Sequence, residues 1–210
     1  MLTTTETSVY AHVSTAKDIS ILKNIHQSDI NLSIFKRTIE KAKDEIECFL
    51  QGGIQLKATG SVDALITLLR INIDSLGLPQ GFLIKDFSDL LHRFQEISKA
   101  SSFRVLLAVI ETDMCQRFHT DFNYLRLLCT YKGPATLWLP EKGADRMAHY
   151  SGKDNDSIVK NSDLIQQANT GDVLVLKGGM YPNAKAIIHR SPPIQTQGQK
   201  RLLLRIDMEQ

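Results

Sequence analysis

The sequence predicts an α+β fold in which N-terminal helices pack on one outer face of a small antiparallel barrel or jelly roll. Amphipathic patterns with a period near 3.6 residues fill most of the first hundred residues. Short β-rich runs separated by glycine and proline follow after residue 100. Because each half has an apolar face that must be covered, helices packed on a sheet are the expected arrangement.

Three helices are predicted from apolar spacing and from residues that favour helix ends. The first covers residues 34–50 and stops at Gly52, since glycine commonly terminates helices. Ser61 is a suitable N-cap for the second helix, which ends before Gly77. Asp86 is the N-cap candidate for the third helix, whose apolar residues lie along one stripe.

Six or seven strands are predicted in the second half, whereas a jelly roll has eight. The six clearest runs cover residues 103–112, 123–131, 136–139, 171–176, 186–189 and 201–207. Residues two apart in a strand share a face. The last strand therefore places Arg201, Leu203 and Arg205 on the face opposite Leu202 and Leu204.

A polar stretch over residues 141–170 interrupts these strands. We interpret it as an exposed insert or a lid over the barrel mouth, with a short helical piece near residues 163–168. The chain then divides into a helical support region, residues 1–100, and a jelly-roll metal-binding core, residues 101–210. We expect the two regions to form one compact unit.

Composition excludes several classes of function. The 210 residues carry a formal net charge of +2, which argues against a nucleic-acid or anionic membrane partner. We find no secretory signal and no apolar run of membrane-spanning length. Three cysteines without a Cys-x-x-Cys pair indicate a reducing compartment. These features predict a cytoplasmic protein that acts on a small molecule, and they leave its oligomeric state open.

His119, Asp121 and His189 are the candidate metal ligands. In an extended chain the side chains of His119 and Asp121 point to the same face. His-x-Asp followed by a distant His is the sequence form of the facial triad that holds Fe(II) and leaves positions open. Without further context, the alternative is a surface histidine beside a carboxylate.

Two further residues share the strand parity of His119. Cys115 is a possible extra ligand, and a thiolate would favour zinc over Fe(II). Its alternative role, expected for all three cysteines, is that of a small buried apolar residue. Asn123 could orient a ligand or a cosubstrate.

The C-terminal part of the chain resembles the core of Fe(II)/2-oxoglutarate-dependent oxygenases. The similar run is Gly171-Asp-Val-Leu-Val-Leu, then Ile188-His189-Arg-Ser-Pro-Pro-Ile, then Gly198-Gln-Lys-Arg201-Leu-Leu-Leu.

That resemblance implies a double-stranded β-helix (jelly-roll, cupin-like) core with Fe(II) on the three candidate ligands. It also implies that the far carboxylate of 2-oxoglutarate pairs with Arg201. Leu203 stands where many such enzymes have a serine, and Arg205 on the same face is a competing anchor.

A wider pattern is similar to a family of uncharacterised bacterial proteins. It comprises Cys115-x-x-Phe-His119-x-Asp121, Arg126-Leu-Leu-x-Thr-Tyr131-x-Gly-Pro-x-Thr136-x-Trp-Leu-Pro140 and His189-Arg-Ser-Pro-Pro193, within residues 30–208. The resemblance implies no particular activity. Members of that family are associated with responses to zinc limitation, which keeps a zinc function open.

Two functional hypotheses follow. The first is a mononuclear Fe(II), 2-oxoglutarate-dependent oxygenase that acts on an unidentified small molecule or macromolecule. The second is a cupin-like metal protein without oxygenase activity, which binds zinc with help from Cys115 and serves bacterial metal homeostasis. The arginine distinguishes them, because only the oxygenase needs an anchor for 2-oxoglutarate.

Overall fold

Ten strands in two sheets form the centre of the computed structural model, which describes residues 10–209. In chain order they are β1 (Val13–Ala16), β2 (Leu32–Phe35), β3 (Gln55–Gly60), β4 (Phe103–Ile110), β5 (Leu125–Lys132), β6 (Leu137–Leu139), β7 (Gln166–Gln167), β8 (Val173–Lys177), β9 (Ile188–Arg190) and β10 (Arg201–Met208). Five α-helices accompany them in the described residues: α1 (Lys43–Gln51), α2 (Val62–Ser75), α3 (Phe82–Ser98), α4 (Arg146–Tyr150) and α5 (Asn155–Ile158). An eight-residue 3-10 helix (Ile19–His26) lies between β1 and β2.

The larger sheet has the order β1-β2-β8-β5-β10-β4-β3, and the smaller sheet has the order β7-β6-β9. Neighbouring strands are antiparallel except β1 and β2. A single bridge between His119 and His189 extends the smaller sheet beyond β9. Four central strands, β8-β5-β10-β4, therefore face three strands and a one-residue remnant of a fourth. This is the predicted double-stranded β-helix, with its eighth strand reduced to one residue.

The alternation predicted for β10 separates two apolar layers. Leu202 and Leu204 face the helices α1, α2 and α3 and belong to the larger core. Leu203 belongs to a second core that lies between the two sheets, together with Trp138 of β6 and Leu128 of β5. The helices therefore cover one outer face of the larger sheet, as the sequence predicted.

The predicted second helix is confirmed and the first is only partly correct. α2 begins after Ser61, whose hydroxyl accepts a hydrogen bond from the backbone N–H of Ala64. The first helix starts at Lys43 and not at residue 34. Ile34 and Phe35 instead pair with β8, because an apolar run this short fits a buried strand as well as a helix.

The predicted N-cap of the third helix is wrong. α3 begins one turn earlier, at Phe82, and Asp86 lies inside it. The free N–H groups of Phe82 and Leu83 donate to the carboxylate of Glu45, at 2.7 and 2.8 Å. A side chain from α1 thus supplies the cap that the local sequence lacks.

Asp86 instead ties α3 to the sheet. Its carboxylate is buried and accepts hydrogen bonds from Arg37 and from the hydroxyl of Tyr131, the latter at 2.7 Å. Arg37 also donates to the carbonyl of Gly171, 2.8 Å away. This polar cluster joins the segment after β2, the helix α3, the strand β5 and the turn before β8.

The first hundred residues also contribute strands that the periodicity did not predict. β1 and β2 extend one edge of the larger sheet, and β3 forms the other edge beside β4. The short helix predicted near residues 163–168 is likewise replaced, by a 3-10 turn (Ser162–Leu164) and then β7.

No helix within residues 10–209 combines the length and the apolar character needed to cross a lipid bilayer.

We expect Asp86→Ala to lower the free energy of unfolding by about 3 kcal/mol or more, because it leaves the Arg37 guanidinium buried without its counter-charge. The measurement is urea unfolding at neutral pH. Asp89→Ala is the matched control on the same helix, since Asp89 forms an exposed pair with Lys85 and should cost less than about 1 kcal/mol. Equal losses in the two variants would contradict the structural role given to Asp86.

Candidate metal centre

A backbone pairing brings the two candidate histidines together. The N–H of His119 donates to the carbonyl of His189, and the N–H of His189 donates to the carbonyl of His119, both at 2.9 Å. Residues that exchange both bonds across an antiparallel pair project their side chains to the same side. The two imidazole rings accordingly lie 4.7 Å apart between centroids.

Asp121 completes the group. Its carboxylate oxygens lie 3.6 Å from Nε2 of His119 and 3.4 Å from Nε2 of His189. One ligand atom from each residue can be chosen such that all lie within 4.8 Å of one another. The structure thus brings the three predicted ligands together, although His189 lies seventy residues after His119 in the chain.

The other nitrogen of each imidazole is occupied by the backbone. Nδ1 of His119 donates to the carbonyl of Arg117 at 2.8 Å, and Nδ1 of His189 donates to the carbonyl of Ile187 at 3.1 Å. A carbonyl can only accept, so each Nδ1 carries the proton and each Nε2 presents its lone pair to the centre. Such bonds orient metal-binding histidines.

Arg126 holds the carboxylate of Asp121 in place. Its Nη1 donates to Oδ1 of Asp121. Its Nε and Nη2 donate to the two carboxylate oxygens of Asp207, at 2.6 and 3.1 Å. Both carboxylates are buried, so the guanidinium supplies the counter-charge that they require. The internal ion pairing of Arg126 agrees with the common behaviour of arginine in a β core.

The charge states suit metal binding. Burial lowers the pKa of His189 to about 4, which keeps this imidazole neutral at pH 7. Burial alone would raise the pKa of Asp121, but His189, His119 and Arg126 lower it to about 2. The interaction with Asp121 raises the pKa of His119, so bound metal would compete with a proton there.

One atom of the centre lacks a partner. Within residues 10–209, Oδ2 of Asp121 is buried and accepts no hydrogen bond. A buried carboxylate oxygen without a donor is costly unless a cation coordinates it. Two imidazole nitrogens and this oxygen are ligands for Fe(II) or for zinc, so the residues present fit a divalent metal.

Arg201 lines the same cleft as both histidines. It is only 2% exposed, and its guanidinium donates one hydrogen bond, to the hydroxyl of Thr130 at 3.2 Å. Its Nε has no hydrogen-bond partner and no carboxylate lies within ion-pair distance among residues 10–209. Burial lowers the pKa of Arg201 to about 10, as expected for a cation without a counter-charge.

A β-bulge in β5 shifts the strand register beside Arg201. The pairing of β10 with β5 shifts between Leu202 and Leu203, so that Tyr131 is the extra residue. Gly133 follows with φ of +81°, where a side chain would collide with the carbonyl of Lys200 and crowd Arg201. Only glycine combines this positive φ with so close an approach to the backbone of β10.

Arg205, the competing anchor, lines the cleft, whereas Asn123, the predicted orienting residue, does not. Arg205 lines the cleft too, but its Nε lies 3.3 Å from the carboxylate of Asp207. Asn123 is not among the cleft-lining residues, and its amide donates to Asp207 at 3.0 Å. The structure therefore places Asn123 behind Arg126, where it contacts the support of the centre and not the cleft.

Cys115 lines the cleft but its sulfur is not part of the three-residue ligand group. The strand parity predicted for Cys115 is wrong, because its segment is not a strand and Cys115 has a left-handed φ of 48°. The expected buried apolar role holds for Cys129 alone, since Cys48 and Cys115 are exposed.

The insert supports the His119 segment from outside. Oδ1 of Asn155 accepts from the N–H of Phe118 at 2.7 Å, and its amide donates to the carbonyl of Gln116 at 2.9 Å. Ala148 and Ile158 of the insert pack on Phe118 in a small core. Sequence reasoning missed Asn155, Asp207 and Thr130, because no local motif distinguishes residues whose partners are so distant in the chain.

Comparisons with known proteins give one family and several distant folds. The family model described as Protein of unknown function (DUF1826) matches residues 16–207, which agrees with the resemblance to an uncharacterised family. No curated protein matches the chain. One similar solved structure is dioxygenase for auxin oxidation 1 from Arabidopsis thaliana, in complex with 2-oxoglutarate. It is 10% identical in sequence, the match covers 93% of this chain and 91% of that chain, and the TM-score is 0.47. A prolyl-4-hydroxylase from Pseudomonas putida is similar at 9% identity, with 91% and 97% covered and a TM-score of 0.42.

We expect His119→Ala to abolish metal binding with a stability loss below about 1 kcal/mol, because the imidazole is 31% exposed at the cleft. Metal content after anaerobic loading and thermal unfolding of the metal-free protein are the two measurements. His149→Ala, which changes a half-buried histidine of the insert, is the control and should retain metal. Full metal occupancy in His119→Ala would show that the ligand assignment is wrong.

A second expectation concerns Arg126. Arg126→Met should destabilise the metal-free protein by about 3 kcal/mol, because Asp121 and Asp207 lose their shared counter-charge. Urea unfolding at neutral pH measures the loss, and Arg104→Met, which removes an exposed arginine paired with Glu209, is the comparison. If both variants unfold at the same urea concentration as the unmodified protein, Arg126 does not hold the centre.

Proposed function

The chain belongs to the DUF1826 family of proteins of unknown function, and we propose that it is a mononuclear Fe(II)-dependent oxygenase that uses 2-oxoglutarate. The observation that carries the proposal is the joint presence, in one cleft, of the His119, Asp121 and His189 group and the buried guanidinium of Arg201, which has no carboxylate partner within residues 10–209. Neither feature alone distinguishes an oxygenase from another metal-binding protein. Together they provide a three-ligand metal site and a cation beside it for an anionic cosubstrate.

The protein's own residues supply position and charge. His119 and His189 present Nε2 atoms whose direction their Nδ1 bonds determine, and Arg126 keeps Asp121 ionised and oriented. Fe(II) bound there would supply the activation of dioxygen, with 2-oxoglutarate as the reductant. The guanidinium of Arg201 would pair with the far carboxylate of that cosubstrate through charge-assisted bonds.

The zinc alternative has less support. Its distinguishing ligand was Cys115, whose sulfur lies outside the ligand group. A zinc protein also has no use for a buried arginine that lacks a carboxylate, since such a charge costs free energy unless an anion binds it. Arg201 therefore favours the oxygenase.

The test is an anaerobic titration of the Fe(II)-loaded protein with 2-oxoglutarate, followed by its weak visible charge-transfer band. We expect Arg201→Met to raise the dissociation constant for 2-oxoglutarate by about tenfold or more, because a charge-assisted hydrogen bond is lost. The same variant should unfold at or above the temperature of the unmodified protein, since it removes an uncompensated buried charge. Metal affinity should not change.

Arg205→Met is the matched comparison, because Arg205 lines the same cleft but is near Asp207. A smaller effect than that of Arg201→Met identifies Arg201 as the anchor, and a larger effect reassigns it. Stoichiometric zinc that resists exchange, with no binding of 2-oxoglutarate, would overturn the oxygenase proposal.

A further inference from the structure

One positive charge of the cleft stays unbalanced after the metal and the cosubstrate are counted. Asp121 and one carboxylate of 2-oxoglutarate neutralise the two charges of a divalent metal, and the other carboxylate is assigned to Arg201. Within residues 10–209, Arg126 and Arg205 then share a single carboxylate, that of Asp207. An uncompensated charge in a partly desolvated cleft attracts a ligand of opposite sign.

The hydrogen bonds assign this surplus charge to Arg205. Both oxygens of Asp207 accept from Arg126, and one of them also accepts from the amide of Asn123. Nε of Arg205 lies 3.3 Å from Asp207 but is buried without a hydrogen-bond partner in the described part of the chain. Asp207 is therefore fully engaged elsewhere, and the guanidinium of Arg205 keeps its donors for another acceptor.

The strand register directs Arg205 into the cleft. β10 places it opposite Leu106 of β4 and Leu128 of β5, and all three residues line the cleft. Its chain neighbours Leu204 and Ile206 point the other way, into the core beneath the helices. The side chain of Arg205 is 26% exposed, so an anion in the cleft can reach it.

The other arginines of the cleft lining are not available for this anion. Arg190 follows His189 in β9, so alternation sends its side chain to the opposite face, where its guanidinium lies 4.9 Å over the ring of Phe118. Arg126 already donates to two carboxylates, and Arg201 is assigned to 2-oxoglutarate. Among the described residues that line the cleft, Arg205 is the arginine left for a second anion.

The cleft offers this anion two different walls. The larger sheet contributes leucine side chains on both sides of Arg205. The smaller sheet contributes the hydroxyls of Thr136 and Ser191, which come one step beyond the pair of Leu137 with Arg190. A small organic molecule with both apolar and hydrogen-bonding groups fits such a lining.

We propose that the primary substrate is a small organic acid whose carboxylate pairs with the guanidinium of Arg205, between the leucines of the larger sheet and the hydroxyls of the smaller one. A carboxylate carries the single negative charge that balances the site, and the planar fork of arginine matches its two oxygens. This inference rests on the proposed function, because it assigns Arg201 to 2-oxoglutarate. It adds the substrate class that the same cleft accepts beside the cosubstrate.

The experiment uses the full chain loaded with Mn(II) and saturating 2-oxoglutarate under anaerobic conditions, so that no turnover occurs. Butyrate and the neutral butanamide are titrated separately, and binding is followed by the proton relaxation of each probe, which Mn(II) enhances for molecules bound near it. We expect butyrate to bind about tenfold or more tightly than butanamide, which corresponds to one charge-assisted pair. Equal affinities, or no saturable binding of butyrate, would overturn the proposal without the need for any variant.

Variants then locate the carboxylate. Arg205→Met should weaken butyrate by about tenfold and leave butanamide and 2-oxoglutarate affinities unchanged, whereas Arg205→Lys should retain part of the butyrate affinity. Arg104→Met is the control, because Arg104 is an exposed arginine of β4 that pairs with Glu209 and lies outside the cleft lining. Unchanged butyrate binding in Arg205→Met, or an equal loss in Arg104→Met, would show that Arg205 does not hold the carboxylate.

The two proposals fail in different ways. If 2-oxoglutarate does not bind to the Mn(II)-loaded protein, the proposed oxygenase function fails, and butyrate titrated into protein with Mn(II) alone still measures the contribution of Arg205. If 2-oxoglutarate binds and Arg205→Met does not alter butyrate binding, only the substrate class is wrong. If Arg205→Met weakens 2-oxoglutarate more than Arg201→Met does, Arg205 is the cosubstrate anchor and its assignment to the substrate is overturned.

Discussion

Two backbone hydrogen bonds between His119 and His189 support everything proposed for this protein. They are the whole of the eighth strand, and they determine which side of the chain both imidazoles occupy. Because so short a pairing is weak by itself, the insert reinforces it: the side chain of Asn155 binds the backbone on both sides of residue 117. A region that looked like a lid over the barrel mouth thus serves to keep a ligand-bearing segment in place.

Around His119 and His189 the fold buries polar and charged groups whose burial costs free energy in the absence of a ligand. Oδ2 of Asp121 is buried without a donor, and Arg201 is buried without a carboxylate, among residues 10–209. Each costs free energy in the absence of a ligand. By contrast, Asp207 is fully paired and Arg126 serves both carboxylates. Unpaired charge is therefore concentrated where a metal and an anion can bind, and satisfied charge lies behind it.

One strand connects this site to the helical region. Along β5, Arg126, Leu128 and Thr130 share one face. Arg126 and Leu128 line the cleft there, Arg126 donates to Asp121, and the hydroxyl of Thr130 accepts from Arg201. Alternate residues face the helices, and among them Tyr131 binds Asp86 of α3. The helices therefore stabilise the strand whose other face carries the polar groups of the site. Their role is to support the site, since none of the cleft-lining residues comes from them.

The sequence by itself determined which nearby residues share a face, because the geometry of an extended backbone sets the direction of successive side chains. Residues two apart in an extended chain share a face, which predicted that His119 and Asp121 converge and that Arg201 and Arg205 lie on one face of the last strand. It could not place Ile34, because four apolar residues fit a strand or a helix, and only pairing with β8 decided between them. Nor could it show that, in the part of the chain that the structure describes, Arg201 has no carboxylate partner whereas Arg205 lies near Asp207. Partners that lie far apart in the chain are chosen by tertiary packing, so the charge balance of the cleft is a property of the folded structure alone.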